Sequence, residues 1–473
     1  MATSYKTPGV YVQEISTLPA SVAPVETAIP CFIGATEKAE KDGNSTALKN
    51  IPTRITSMLE YKQIFGGPND EGAAIAVSIA DTVSGSTITG RTISTSVTAA
   101  SVSRFKMYYA LQMYFANGGG PCWIISIGTY SDIASAAAHK SAVVDTAIPA
   151  LQKVDEPTII CIPDKNTRAN YKDIYDTALA QCNKLMDRVL LMDLWDAAGT
   201  SPYTDATNFR DSGVSADNLK YGMAYYPELE TTLSYGYADA SISITHTGGS
   251  AVYNGKKLSD VALAEPNLYR QIQGKIAENF VKMQPSSAIA GIYAKVDRDR
   301  GVWKAPANVS VSRISGPSVK ITNQDQENLN VDPTSGKSIN CIRTFAGKGT
   351  LVWGARTLAG NDNEWRYVNV RRFYNFVEES VKKATEFVVF EPNDANTWLR
   401  TKTMIENFLI SLWRQGALQG AKPEDAFFVR VGLGQTMTSD DILNGYMNVE
   451  IGMAVVRPAE FIILKFSHLL QKS

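Results

Sequence analysis

Histidine is scarce in this chain, with three among 473 residues: His139, His246 and His468. None stands at ligand spacing from Cys, Asp or Glu, which excludes the short metal-binding signatures. A serine hydrolase needs a histidine beside its serine, and none of the three has such a context. Asp193, Ser286 and Ser287 therefore read as polar groups at a strand end and a helix cap. Cysteine is nearly as sparse. Cys31, Cys122, Cys161, Cys182 and Cys341 are odd in number and nowhere at CxxC spacing, so they read as five reduced thiols of a protein folded in a cytoplasm. An excess of one charge is also missing. Lys plus Arg number 46 against 47 Asp plus Glu, which argues against a general nucleic-acid binder. No apolar run reaches about 18 residues, so no transmembrane helix is expected. The N-terminus lacks the basic region and apolar core of a Sec signal peptide. Two phosphate-loop fragments are incomplete. PTSGKS at 333–338 has Val331 where a glycine belongs, and Gly432-Leu433-Gly434 is followed by Met437 at the third glycine position. No cofactor is implied.

What the chain does have is unusual ends. Residues 1–15 (MATSYKTPGVYVQEI) and 452–470 (GMAVVRPAEFIILKFSHLL) are strand-like runs beside a proline, with no sequence neighbour to pair with. Unpaired strands invite another chain, and free termini normally fray. Val10, Tyr11 and Val12 at one end, and Phe461, Ile462, Ile463, Leu464 and Phe466 at the other, are the candidate inter-subunit residues. Near-neutral charge with 21 Tyr and 7 Trp fits a protein that packs against copies of itself.

Between the ends, the length predicts several domains in an α/β and α+β arrangement. Residues 1–25 read as an N-terminal arm, 26–150 as an α+β region with a variable insert near 70–104, and 151–348 as an α/β domain with an insert near 230–260. Residues 349–456 read as a C-terminal domain and 457–473 as a C-terminal arm. Continuous apolar strands at 29–35, 122–127, 158–162 and 188–194 alternate with helical patterns at 105–116, 133–144 and 170–186, which predicts a parallel sheet covered on both faces. Residues 224–226 and 289–294 are assigned as further strands of it, 81–103 as a surface loop or small insertion, and 241–257 as an inserted hairpin. Helices are expected at 56–66 and 267–283. Strands are expected at 349–355, 366–370 and 427–431, with a helix from 371 to about 385. Residues 446–470 read as a closing pair of strands bent at Pro458. A long helix from Asp394 to about Gln415 carries an apolar stripe of Trp398, Ile405, Phe408, Leu409 and Leu412. Arg400, Asn407 and Arg414 repeat at seven-residue spacing on another face, either solvated or docked on an acidic partner.

Seven segments, in order, resemble the sheath proteins of contractile phage tails and related injection systems. They are TPGVYVQEI (7–15), FANGGGPCWIISIG (115–128), GVWKAPAN (301–308), GTLVWGARTL (349–358), YVNVRR (367–372), FEPND (390–394) and RPAEFIILKF (457–466). The resemblance spans nearly the whole chain and is weakest at 70–104 and 230–260. It implies a subtilisin-like α/β middle domain without a catalytic triad, and a C-terminal domain lying innermost against a tube. It also implies arms that add strands to sheets of neighbouring copies. The implied partners are other copies in a helical sheath of stacked rings, an inner tube protein, a baseplate and cap or terminator proteins, with no nucleic acid and no membrane insertion. The implied setting is assembly in a bacterial cytoplasm into a phage tail or phage-like particle. Two segments are candidates for the tube contact: the face of Arg400, Asn407 and Arg414, and the turn 438–445 with Asp440 and Asp441. Two other readings are a diverged α/β hydrolase, which explains the middle but not the arms, and a passive shell protein.

Overall fold

The computed structural model describes residues 22–194 and 201–465. The chain divides into two compact units. In described residues, one holds 26–378 and 457–465, and the other holds 22–25 and 379–456.

The larger unit is built on a nine-stranded sheet. From one edge the order is Val309–Ser310, Gly349–Trp353, Ile339–Phe345, Gly222–Tyr226, Val189–Asp193, Ile159–Cys161, Pro30–Thr36, Cys122–Thr129 and Thr53–Ile55. The middle six pair in parallel, and antiparallel strands close both flanks. Burial on both faces is why these strands read as unbroken apolar runs. Phe32, Ile124, Ile160, Leu190, Met223 and Ile342 are fully buried in one core. Helix Arg168–Leu185 is capped by the Thr167 hydroxyl, which accepts from Asn170 N. Helix Ser286–Arg300 stops at Gly301, whose φ of +88° and contact with the Trp303 ring leave no room for a Cβ.

Several expectations are corrected. Residues 289–294 are helix, not strand: Ile289, Ile292, Tyr293 and Val296 lie in Ser286–Arg300, whose first turns are buried all round. A short apolar window of that kind carries no period to separate helix from strand. Residues 366–370 form one isolated bridge, Arg356 to Tyr367, before helix Val368–Ala384 begins. Residues 81–103 are no loop: Ile75–Ser84 and Thr87–Val97 make a long antiparallel hairpin, because alternating Thr and Ile suit a pleat despite their polarity. The expected 241–257 hairpin instead supplies Ile244–Thr247, which pairs in parallel with Ile75–Ser84. Helix Pro266–Ile276 ends early, and Phe280–Met283 is a strand. Among the described residues, 457–465 form no strand.

The hairpin and Ile244–Thr247 pack on helices Leu258–Ala264 and Pro266–Ile276 around Val77, Ile79, Ile244, Leu268 and Ile272. Inside, Asp81 receives Arg91 Nε at 2.6 Å and Nη2 at 3.0 Å, and His246 Nε2 lies 2.9 Å away. The Arg91 guanidinium holds the Asp81 carboxyl down at about 2.

In the smaller unit, helix Ala395–Arg414 is capped by Asp394 and buries Met404, Ile405, Phe408, Leu409 and Leu412 along one stripe. Trp398 is half-buried, its Nε1 donating to Asn393 Oδ1. A two-stranded ladder, Phe427–Arg430 with Glu450–Met453, completes this unit.

Candidate assembly site

Of the polar residues with catalytic potential, Asp193, His139, His246 and Lys337 are engaged within the fold, whereas the Ser286 and Ser287 hydroxyls are buried with no hydrogen-bond partner among the described residues. Asp193 ends its strand fully buried, and its Oδ1 accepts from Ser286 N at 2.8 Å. Burial pushes its carboxyl up to about 7, against the opposing pull of the hydrogen bond from Ser286 N. His246 faces Asp81, while His139 faces Asn166 at 3.0 Å and Asp164 at 3.4 Å. His468 lies outside the described residues. Lys337, from the phosphate-loop-like fragment, turns inward and donates to the carbonyls of Arg210 (2.6 Å) and Val214 (2.8 Å).

The charged helix face is formed as expected. Arg400, Asn407 and Arg414 are all exposed on Ala395–Arg414, opposite its buried stripe. The Arg400 guanidinium sits 5.8 Å from the Phe387 ring centre, and neither arginine has an ion pair among the described residues. The acidic turn is less available than its composition suggests. Asp440 is exposed, but Asp441 Oδ2 accepts from Thr438 N and Oγ1, both at 2.8 Å, closing a capping box. Those bonds hold its carboxyl below the usual carboxylate range.

The ladder of the smaller unit has two outer edges, and among the described residues no other strand pairs with either. A two-stranded ribbon is marginal alone, so further strands are favoured there.

In the larger unit, the C-terminal segment lies along a groove bordered by Asn308, Gln326, Asn330, Val331, Trp353 and Ala355. Its apolar side chains do not enter the body: Phe461, Ile462, Ile463 and Leu464 are 71, 78, 79 and 72% exposed. Glu460 does. Its carboxylate accepts Arg356 Nε at 3.0 and 3.1 Å, Arg356 Nη2 at 2.5 Å, Asn330 Nδ2 at 2.8 Å and Tyr367 Oη at 3.3 Å. Arg356 is buried, and its backbone is fixed by Asn340, whose side chain exchanges hydrogen bonds with Arg356 N (2.7 Å) and O (2.8 Å). Val10, Tyr11, Val12 and Phe466 lie outside the described residues. Sequence reasoning missed Glu460 and Arg356. The available signal was an acid interrupting an otherwise apolar terminal run.

Residues 360–467 match the phage tail sheath C-terminal domain. The chain is 24% identical over 226 residues to the tail sheath protein of Vibrio phage KVP40, a stretch covering 47% of this chain and 32% of that protein. It thus spans about a third of the length of that curated relative. Among solved structures, it is similar to the sheath of the extracellular contractile injection system PVC in the contracted state. That likeness has 30% identity, 98% coverage of both chains and a TM-score of 0.64. It is similar also to the contracted helical sheath of the anti-feeding prophage, with 32% identity, coverage of 98% of this chain and 99% of that one, and a TM-score of 0.62. Likeness over the full length defines the class as structural proteins of contractile tails. Within that class, the chain belongs to the tail sheath protein family.

Proposed function

We propose that this subunit polymerises around an inner tube in an extended, metastable state and contracts to drive the tube through a target envelope. The observation that carries this reading is the inverted C-terminal segment, with its acid half-buried against its own subunit and its apolar residues presented outward. Residues Val10–Val12 and Phe461–Leu464 with Phe466 serve as arms that add strands to ladders of neighbouring copies. The open edges of Phe427–Arg430 and Glu450–Met453 are suited to receive them. At about 0.5–1.5 kcal/mol per hydrogen bond, a four-bond strand contributes about 2–6 kcal/mol per arm, enough to keep copies connected while other contacts exchange. The partners are further copies, the tube, a baseplate and cap or terminator proteins. A chain of the anti-feeding prophage baseplate structure is 32% identical to this one, which supports the baseplate contact. Nucleic acid and membrane insertion have no part in the reading, and no described helix is long and apolar enough to cross a membrane.

Four of the six parallel strands, Ile159–Cys161, Val189–Asp193, Gly222–Tyr226 and Ile339–Phe345, lie within residues 151–348 and support a subtilisin-type ancestry for that stretch, and the reading needs no catalytic activity. The division into arms, α+β region, middle domain and inner domain belongs to the same proposal, as does assembly in a bacterial cytoplasm. The face of Arg400, Asn407 and Arg414 is the favoured tube contact, with Asp440 as the lesser candidate. Deleting residues 1–15 or 461–473 tests the reading. Each deletion should leave a folded, soluble monomer that forms no sheath. Normal-length sheaths from either would contradict the role of that arm.

A further inference from the structure

The C-terminal segment reverses the usual order of burial. A tail that merely packs on its own subunit hides its apolar residues and leaves its acid in water. Here the Glu460 side chain is 21% exposed and its partner Arg356 only 5%. The next residue, Phe461, is 71% exposed, and the three after it are at least as open. The described part beyond Glu460 forms no strand, so the carboxylate is its principal attachment. The attachment is rigid at both ends. Three hydrogen bonds from Arg356 form a two-oxygen clamp, and Asn330 and Tyr367 fill further lone pairs of the carboxylate. Behind it, fully buried Asn340 on the 339–345 strand ties the Arg356 backbone to the sheet.

We propose that Glu460 is a positioning residue for assembly, whose clamp on Arg356, Asn330 and Tyr367 fixes the direction in which the C-terminal segment leaves its subunit for a neighbouring copy. The proposal rests on the reading of residues 461 onward as an inter-subunit arm. It adds where that arm is hinged and what holds the hinge. A strand can pair only in the register at which it is delivered, so a loose base misplaces every hydrogen bond beyond it. The buried Arg356 charge also makes the clamp selective. An amide at 460 keeps the shape but leaves the Arg356 guanidinium buried without its counter-charge.

The test uses the full chain as Glu460→Gln, with Asn330→Ala as a milder variant that leaves both charges paired, and deletion of 461–473 as the control. Each is measured for thermal melting as monomer and for sheath yield when co-expressed with its tube protein, and the two substitution variants, which keep Lys465, are measured also for the rate of tryptic cleavage after that residue. The clamp predicts that Glu460→Gln melts within a few degrees of wild type, is cleaved about tenfold faster and assembles about tenfold less. Asn330→Ala should change both in the same direction by a smaller factor. If Glu460→Gln proves unfolded, Asn330→Ala decides alone. Wild-type cleavage and assembly in the folded variants, with no assembly of the deletion, would overturn the clamp and leave the arm intact. Normal assembly of the deletion would remove the arm reading itself.

Discussion

Replacing both Arg400 and Arg414 with Glu tests the proposed tube contact without touching the subunit's interior, since both side chains are exposed. The two arginines are 14 positions apart on one helix, or about 21 Å at 1.5 Å per residue. That exceeds the roughly 8 Å screening length at physiological salt, so each acts independently and their effects add. An exposed, rim-like pair contributes about 0.2–1 kcal/mol, and reversal substitutes a repulsion of similar size. The cost is therefore about 0.4–2 kcal/mol per site and about 1–4 kcal/mol per subunit, or roughly fivefold to a thousandfold in contact affinity. Neither arginine is ion-paired among the described residues. Monomer stability should shift by only about 0.5–1 kcal/mol, chiefly from an acid placed in the last helical turn at position 414. The assay is co-sedimentation of sheath with tube across a salt series, with electron microscopy of the pellets. The variant should give contracted or empty sheaths, and the salt dependence seen in wild type should flatten or reverse. Extended, tube-filled particles with wild-type salt sensitivity would refute the assignment and reduce this face to a solvated one.

Two further outcomes concern stability. The buried Asp193 carboxyl is raised to about 7, so the folded state keeps a proton that the unfolded state loses above its ordinary 3.8. Stability contributed by this group is thus lost as pH rises between those values, and Asp193→Asn should gain on wild type from pH 4.5 to pH 8, by at most about 4 kcal/mol; a pH-independent difference in urea melts would contradict this. Arg372 grips Asp297 through Nη1 at 2.9 Å and Nη2 at 2.5 Å, with both side chains buried, and donates to the carbonyl of half-buried Thr27. Arg372→Met should therefore cost about 3–5 kcal/mol, whereas Arg372→Met with Asp297→Leu should recover much of it, as read by thermal denaturation.

The parallel sheet was readable because strands buried on both faces carry their burial in composition alone, as in Val189–Asp193 and Ile159–Cys161. The same property misled at 289–294, where a helix buried on every side offers no polar positions to mark its period. The Thr87–Val97 strand was hidden for the opposite reason: its outer face is Ser and Thr, and its inner face buries little without Ile75–Ser84 beside it. The helix face of Arg400, Asn407 and Arg414 followed from simple periodicity. The clamp at Glu460 did not, because its partners Asn330, Arg356 and Tyr367 are 93 to 130 residues away in sequence and meet only in the folded unit.

The central claim is that this chain is a sheath subunit with two assembled states. It is tested most directly by electron microscopy of particles formed from the chain with its tube and baseplate proteins, before and after a contraction trigger such as acid or urea. The account predicts one population of long, narrow, tube-filled sheaths that converts to short, wide sheaths with the tube protruding, and with subunit folds unchanged between them. A single diameter and length under all conditions would contradict it and favour a passive shell.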